Sequence, residues 1–214
     1  MHILITGATR GIGAGLAAAY RGMGHDVTGT GRSSGAEVTL DVTQPQDHRA
    51  MAAQLAGRPI DLLVCNAGVY LDKGNNDLNT GYAPDLWAQS FAANVTGVFL
   101  TIQTLLPNLR AAPAPRIAII SSQMASHTRA PGGSYIYRAS KAAVLNLGRN
   151  LATDLAGEVA VGIYHPGWVQ TDMGGDAADI TVDEAVEGLM QRFAALDHDT
   201  TGCFETWDGR AHAY

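Results

Sequence analysis

The chain has 214 residues, of which 46% are hydrophobic and 16% are charged, and its formal net charge is −6. This length and composition predict one globular domain over residues 1–214 and exclude a disordered chain. The mildly acidic balance contains no basic run, which argues against nucleic acid as a partner. No apolar run approaches the roughly 20 residues that span a bilayer, and the first residues lack the pattern of a signal peptide. We therefore expect a cytoplasmic protein with no membrane partner.

The spacing of the cysteines and histidines indicates neither a disulfide nor a metal site. Cys65 and Cys203 stand far apart, without a C-x-x-C motif or a Cys/His cluster. We expect them to be buried, reduced thiols rather than a disulfide. None of the seven histidines is paired at metal-ligand spacing, so the sequence predicts no metal site.

Short β-branched runs alternate with long alanine-rich stretches along the chain. The predicted strands are 2–5, 26–30, 37–40, 60–65, 116–121, 159–164 and 203–206, and the predicted helices are 11–23, 46–55, 85–110, 134–155 and 182–196. Apolar strands separated by helices predict an α/β fold: a doubly wound, mostly parallel sheet of about seven strands with helices on both faces. Ligands of such sheets bind beyond the carboxyl ends of the strands, so functional residues are expected just after strands.

A glycine-rich turn, T-G-A-T-R-G-I-G at 6–13, directly follows the first strand. Its glycines, Gly7, Gly11 and Gly13, have the spacing G-x-x-x-G-x-G rather than G-x-G-x-x-G. A turn of this kind lets the backbone approach a pyrophosphate and points the amides of a helix N-terminus at the anion. A purely structural turn is the alternative.

Two arginines lie where a dinucleotide would place its adenine ribose. Gly31 and Arg32 end the second strand, where a carboxylate would bind a free ribose 2′-hydroxyl, and Arg10 lies inside the glycine turn. Guanidinium groups bind phosphate through charge-assisted hydrogen bonds, so NADP(H) is the preferred cofactor and NAD(H) remains possible. The alternative is that both arginines are solvated surface residues.

Seven short motifs, in this order along nearly the whole chain, make the sequence resemble the short-chain dehydrogenase/reductase family. They are T-G-A-T-R-G-I-G at 6–13, L-D-V-T at 40–43, N-A-G at 66–68, N-V-T-G at 94–97, I-S-S at 120–122, Y-R-A-S-K at 137–141 and P-G-W-V-Q-T at 166–171. Within the family, S-Y-I-Y-R-A-S-K-A-A and the ending G-C-F-E-T-W-D-G-R are most similar to small C-factor-like and carbonyl reductase members.

The resemblance implies a single Rossmann domain and a set of cofactor-binding residues. Asp41, with the Val42 backbone, would bind the adenine, 66–68 would line its ribose, and 166–171 would hold the nicotinamide. For each, a structural turn or cap is the alternative. The implied set is Thr6, Gly7, Thr9, Arg10, Gly11, Ile12, Gly13, Arg32, Asp41, Val42, Asn66, Ala67, Gly68, Tyr137, Lys141, Pro166, Gly167, Val169 and Thr171.

The stretch 134–141 contains two tyrosines and a lysine, and helical geometry distinguishes the tyrosines. Tyr137 and Lys141 are four residues apart and share a helix face, whereas Tyr135 and Lys141 are six apart and do not. A nearby ammonium lowers the pKa of a phenol from its ordinary value of about 10, which suits an acid and base for carbonyl chemistry. We therefore predict that Tyr137 is the proton donor.

Two further residues complete the catalytic set that the resemblance implies. Ser122 would hydrogen-bond the developing oxyanion, and the family pattern favours it over its neighbour Ser121. Asn94 would hold a water in a proton relay, although a lone asparagine in a helix would otherwise indicate an exposed position. Lys141 would also bind the ribose hydroxyls of the nicotinamide.

The substrate is a small carbonyl compound or alcohol that the sequence does not identify. We predict an open active site under a short, glycine- and aspartate-rich loop, 172–180. His165 and His127 are candidates to border it, with structural or surface roles as the alternative. The predicted pocket residues are Gln123, Met124, Trp168 and Met173.

The long helices 85–110 and 134–157 carry apolar residues beyond what a sheet-facing stripe needs: Phe91, Val98, Phe99 and Val144. Because members of the family pair through this surface, we expect a homo-oligomer, either a dimer or a tetramer.

Three functions fit these observations. The favoured one is an NADP(H)-dependent carbonyl reductase or alcohol dehydrogenase. The second is a regulatory protein that binds the dinucleotide without turnover, against which the intact Ser122, Tyr137, Lys141 and Asn94 argue. The third is an epimerase or dehydratase of the extended relatives, which need a separate substrate domain that 214 residues do not accommodate.

Overall fold

A computed structural model describes residues 1–33, 35–75 and 77–214, and in it strands alternate with helices. The strands are β1 (His2–Ile5), β2 (Asp26–Gly31), β3 (Val38–Thr39), β4 (Leu62–Cys65), β5 (Arg116–Ile120), β6 (Ala160–His165) and β7 (Phe204–Thr206). The helices are α1 (Gly11–Gly22), α2 (Pro45–Leu55), α3 (Pro84–Phe91), α4 (Gly97–Arg110), α5 (Tyr135–Asp154) and α6 (Val182–Ala195). A π-helical turn, Ala92–Thr96, joins α3 to α4, and a short 3-10 helix, Gln123–Ala125, follows β5.

The strands form one parallel sheet in the order β3-β2-β1-β4-β5-β6-β7. From β1 the chain builds outward to β3 and then crosses back to place β4 on the other side of β1. The direction of chain progression reverses between β1 and β4, and a crevice lies at the carboxyl ends of these two strands. Doubly wound sheets bind their ligands in a crevice at this position. The predicted doubly wound, mostly parallel sheet is confirmed.

The sheet is buried on both faces, which explains why its strands are apolar without alternation. Leu63 and Cys65 of β4 pack with α2, α4 and α5, whereas Leu62 and Val64 pack with α1 and α6. The helix α5 therefore lies directly on the sheet, with its first turn near the strand ends.

The continuous helix Pro84–Arg110 has the length and composition of a membrane span, with a mean hydropathy of 1.2 over its most apolar 18 residues. A helix packed in a protein core can have the same length and composition, and 44% of these 18 residues are buried. Ile102, Leu105 and Leu109 lie in the core beneath the sheet. The apolar face of this helix is therefore used in packing the domain.

Two of the apolar residues assigned to an oligomer surface are in the core instead. Val98 is 6% exposed and Val144 is fully buried, both packed against the sheet. That part of the sequence interpretation is wrong, because both positions face inward on α4 and α5. Phe91 is half-buried, and Phe99 is exposed.

Both cysteines are free thiols. Cys65 is buried, and burial raises its pKa to about 12. Cys203 is only partly buried, contrary to the expectation, because it lies next to the short edge strand β7.

Candidate active site

The glycine turn between β1 and α1 leaves the first amides of α1 open. Gly7 and Gly11 have φ values of 68° and 54°, in the left-handed region that favours glycine. Gly13 is needed for space, because a Cβ there would lie 2.3 Å from the Gly7 carbonyl oxygen. Within the described residues, no side chain caps the N-terminus of α1. The turn can therefore present backbone N–H groups to an anion.

Thr6 and Asn66 join the ends of β1 and β4. The Thr6 hydroxyl accepts hydrogen bonds from the backbone N–H groups of Asn66 and Ala67, at 3.0 and 3.1 Å. The Asn66 side-chain amide donates to the carbonyl oxygens of Thr6 and Gly7, at 2.9 and 3.1 Å. These bonds fix the glycine turn beside residues 66–68, so the two predicted cofactor segments lie together.

The two arginines predicted for a 2′-phosphate lie in different surroundings. Arg32 is exposed just after β2, whereas Arg10 forms an exposed ion pair with Asp172, with 2.6 Å between Nη1 and Oδ2. An exposed pair contributes only about 0–1 kcal/mol, so it is easily exchanged for a ligand phosphate.

A carboxylate that the sequence analysis did not consider also lies near β2. Glu37 accepts a hydrogen bond from the Gly29 N–H at 2.8 Å and pairs with Arg21. Its charge is therefore already matched within the protein.

Asp41 and Val42 make contacts within the protein that stabilise the turn after β3. Asp41 Oδ1 accepts hydrogen bonds from the Thr43 N–H and hydroxyl, at 2.9 and 2.7 Å. A Cβ at Gly97 would lie 2.7 Å from the Val42 carbonyl oxygen, so the π-helical region packs against this turn. Contact of Asp41 with an adenine stays a prediction.

The segment 166–171 lies beside the glycine turn, and its contact with a nicotinamide stays a prediction. A Cβ at Gly11 would lie 3.3 Å from the Thr171 methyl group. Gly167 has a φ of 91°, and Val169 forms a parallel bridge with Ile180. The Thr171 hydroxyl accepts a hydrogen bond from the Gly174 N–H at 3.1 Å, which shapes the start of the following loop.

Tyr137 and Lys141 are buried together on one face of α5, as predicted. The side chains are 7% and 5% exposed, and Lys141 Nζ lies 5.6 Å from the Tyr137 ring centroid. Lys141 Nζ also donates a hydrogen bond to the Ile120 carbonyl oxygen at 3.0 Å. Tyr135 points elsewhere: it is 38% exposed and packs edge-on against Tyr82.

Burial governs the protonation of this pair. It raises the pKa of Tyr137, and the nearby Ser122 opposes the rise only in part. Burial also lowers the pKa of Lys141 to about 8. The expected lowering of the tyrosine pKa by the lysine does not appear, because removal from water is the largest cause of the shift, and Tyr70 and Asp72 add to it. The Tyr137 phenol is therefore protonated near neutral pH.

Ser122, and not Ser121, is the serine near Tyr137, close enough to oppose the rise of the Tyr137 pKa. Ser122 Oγ accepts a hydrogen bond from the Met124 N–H at 3.1 Å. Ser121 Oγ instead donates to the Lys141 carbonyl oxygen at 3.1 Å. The second serine of the pair is therefore the one available to a substrate oxygen.

Asn94 lies in the π-helical turn and is 1% exposed. Its Oδ1 accepts from the Val69 N–H at 2.8 Å, and its Nδ2 donates to the Val69 carbonyl oxygen and to Ser140 Oγ, both at 2.9 Å. A Cβ at Gly68 would lie 3.0 Å from Asn94 Oδ1 and 3.6 Å from Lys141 Nζ. Asn94 and Lys141 therefore face the same small space, which the absence of a Gly68 side chain leaves open.

Comparisons with known proteins show the family of the chain. A family model described as short chain dehydrogenase matches residues 1–181. The chain belongs to this family. The resemblance predicted from the seven motifs is therefore confirmed, and this short-chain dehydrogenase is an oxidoreductase.

Two relatives and one solved structure illustrate the likeness. C-signal from Myxococcus xanthus is 36% identical over 166 residues, which cover 75% of this chain and 96% of the relative. The 1-hydroxy-2-glutathionyl-2-methyl-3-butene dehydrogenase from Rhodococcus sp. (strain AD45) is 31% identical over 226 residues, covering 97% and 96%. NADPH-bound carbonyl reductase from chicken fatty liver has a TM-score of 0.89 at 28% identity, covering 100% of this chain and 98% of that chain.

Two residues of this short-chain dehydrogenase hold Tyr137 and were missed by sequence reasoning. The Tyr70 ring stacks on Tyr137 with 4.1 Å between centroids, and its hydroxyl hydrogen-bonds with Ser134 Oγ. The Asp72 carboxylate, 1% exposed, accepts from the N–H groups of Ile136 and Tyr137, at 2.9 and 3.2 Å. Both come from the polar loop after β4, about which local sequence patterns say nothing.

The assignment of Gln123, Met124, Trp168 and Met173 to the substrate pocket stays a prediction. Gln123 lines a cavity with His165. Trp168 and Met173 are 45% and 38% exposed in the loop region, and His127 is exposed. An open site stays a prediction that these exposures favour. Among the described residues, no group of three His, Cys, Asp or Glu could hold a metal.

Proposed function

We propose that this oxidoreductase is NADP(H)-dependent and interconverts a carbonyl compound and a secondary alcohol, with Tyr137 as the acid in reduction and the base in oxidation. The observation that carries the proposal is the burial of Tyr137 and Lys141 together on one face of α5, with Lys141 Nζ 5.6 Å from the Tyr137 ring centroid. We expect a cytoplasmic homo-oligomer of the carbonyl reductase or alcohol dehydrogenase type.

The protein groups suit proton delivery to a developing alkoxide. A bound nicotinamide dinucleotide supplies or accepts the hydride. Ser122 and Tyr137 lie near each other, so we propose that both hydroxyl groups donate hydrogen bonds to one substrate oxygen and that Tyr137 transfers its proton there. Lys141 and Asn94 both lie close to Gly68, and we propose that a water beside them returns the proton.

The glycine turn and the two arginines support the choice of cofactor. The open N-terminus of α1 would hold the pyrophosphate, and Arg32, with Arg10 released from Asp172, would hold a 2′-phosphate. The chicken relative is an NADPH-bound protein. Replacing Arg32 by Asp should therefore weaken NADPH binding more than NADH binding; an unchanged NADPH affinity would argue against NADP(H) preference.

The catalytic proposal is tested by NADPH oxidation against a panel of aldehydes and ketones. Loss of a general acid typically lowers the rate about 10²–10⁴-fold, so we expect Tyr137→Phe to lose activity to that extent. Tyr135→Phe is the matched control, because that ring faces Tyr82 and should retain wild-type rates.

Binding measurements separate the proposal from its alternative. Tight NADPH binding by the wild type without turnover of any carbonyl or alcohol would favour a regulatory dinucleotide-binding protein. Equal activity in Tyr137→Phe and the wild type would contradict the assignment of the acid.

A further inference from the structure

A cavity of about 390 Å³ lies at the carboxyl ends of β5, β6 and β7. Two of its lining residues adjoin the candidate active site. Gln123 directly follows Ser122, and His165 directly precedes the segment 166–171. The cavity therefore adjoins the predicted site through these two chain neighbours, and Ser122, Tyr137 and Lys141 are not among its lining residues. Its volume lies within the usual range of small-molecule sites, about 300–1,000 Å³.

The outer wall of the cavity is built by residues 210–213, which fold back after β7. The His212 N–H donates to the Phe204 carbonyl oxygen at 2.8 Å, and Ala211 forms an antiparallel bridge with Glu205. The Thr128 N–H donates to the Tyr214 carbonyl oxygen at 3.0 Å. These bonds hold the wall in place across the opening.

The lining contains two arginines and two histidines, Arg129, Arg210, His165 and His212, and the described lining residues include no carboxylate. Arg129 donates to Gln123 Oε1 at 2.8 Å, so its guanidinium is positioned by an uncharged partner. Arg210 is paired with Asp208 at 2.9 Å, outside the lining. One arginine charge therefore stays uncompensated by these contacts.

His165 adds a buried polar atom that lacks a partner. Its side chain is 8% exposed, and Nδ1 has no hydrogen-bond partner in the described part of the chain. Burial, together with His212 and Arg129, lowers its pKa to about 4, so the ring is neutral near pH 7.

We propose that this cavity binds the anionic group, a carboxylate or a phosphate, of the molecule that is reduced or oxidised. Arginine binds both groups through charge-assisted, often bidentate hydrogen bonds, and the neutral His165 can add a hydrogen bond. The inference rests on the proposed function, since it assigns the substrate class of that same site: an acidic carbonyl compound or alcohol.

Binding is measured without cofactor or turnover, by titrating inorganic phosphate and acetate while following the ring signals of His165 and His212 by NMR. We expect saturable shifts with at least one anion, and the better of the two identifies the group. Arg129→Gln should weaken this binding at least about tenfold, equivalent to about 1.4 kcal/mol. Arg49→Gln, an exposed charge on α2, is the control and should leave it unchanged. Absent shifts, or equal shifts in Arg129→Gln, would overturn the proposal.

Kinetics test the link to the substrate. A keto acid and its primary amide, or a phosphorylated ketone and its alcohol, are compared as substrates for NADPH oxidation. We expect the acidic compound to have a KM about tenfold lower, and this preference to disappear in Arg129→Gln. Equal KM values for the acid and the neutral analogue would overturn the inference and leave the proposed function intact. No turnover of any carbonyl, together with retained anion shifts in the NMR titration, would instead overturn the proposed function.

Discussion

Lys141 is a buried amine whose hydrogen-bond acceptor is an uncharged carbonyl, that of Ile120. Its pKa is lowered from the ordinary value of 10.5 to about 8 because burial disfavours the ammonium. Below about pH 8 both the folded and the unfolded chain carry the charge, and folding bears the full burial penalty. Between pH 8 and pH 10.5 the folded state loses its proton first, so the penalty falls as pH rises.

Because this penalty falls as pH rises, the unfolding free energies of the wild type and of Lys141→Met should depend differently on pH. From about pH 7 to about pH 10 the wild type should gain about 2 kcal/mol in unfolding free energy relative to the variant. Urea unfolding at several pH values measures it, and the comparison stops near pH 10 because tyrosines then begin to titrate in the unfolded chain. A pH-independent difference would mean that Lys141 is not buried as a titrating amine.

The helix α5 brings the candidate catalytic side chains, Tyr137 and Lys141, to the strand ends because it is fixed at two points. Gly148 lets it approach the sheet: a Cβ there would lie 2.6 Å from Ile163 Cγ1. At its first turn, Ser134 has a φ of 47° and makes no capping hydrogen bond, and the carboxylate of Asp72 binds the amides instead. A distant loop therefore supplies the cap, with a charge that favours the positive end of the helix.

Asp72→Asn should show this role of the loop. It keeps the shape but removes the charge, so we expect a loss of about 1–2 kcal/mol in unfolding free energy. If Asp72 also positions Tyr137, kcat should fall while NADPH affinity and KM stay near the wild-type values. Asp154→Asn, exposed at the end of the same helix, should change neither. Stability and kcat equal to the wild type in Asp72→Asn would contradict both roles.

Elements with strong periodicity or a family motif could be predicted from the sequence, and contacts between distant segments could not. The helix 134–155 and the strand 116–121 differ from α5 and β5 by one residue at the ends. The N-V-T-G motif placed Asn94 in the predicted site, but the sequence did not predict the π-helical turn around it. The extra residue of such a turn does not alter the pattern of hydrophobic residues enough to be seen. Asp72 and Tyr70 act across more than 60 residues, so only the folded chain shows that they hold Tyr137.

The whole molecule is predicted to associate, and the structure narrows the surface that should do it. With Val98 and Val144 in the core, Phe99 of α4 is the exposed aromatic residue of the four assigned to that surface. We expect the wild type to be a dimer or tetramer by light scattering after size exclusion. Phe99→Arg should shift the mass toward the monomer, because burying a charge in an apolar contact is unfavourable.

Met23→Arg is the matched control for this experiment. Met23 is 63% exposed next to α1, on the opposite face of the sheet, and its replacement should leave the mass unchanged. A monomeric wild type would contradict the prediction of an oligomer. An unchanged mass for Phe99→Arg would place the contact elsewhere.

The strand order also has a consequence for synthesis of the chain. β4 pairs with β1 on one side and with β5 on the other, and β5 begins 51 residues after β4 ends, at Arg116 against Cys65. At the usual ribosomal speed of about 5–20 residues per second, the apolar outer edge of β4 waits roughly 3–10 s for its partner. Unpaired strand edges are sites of aggregation, and non-local parallel pairing is slow. The same crossover that opens the ligand crevice therefore delays closure of the sheet on the ribosome.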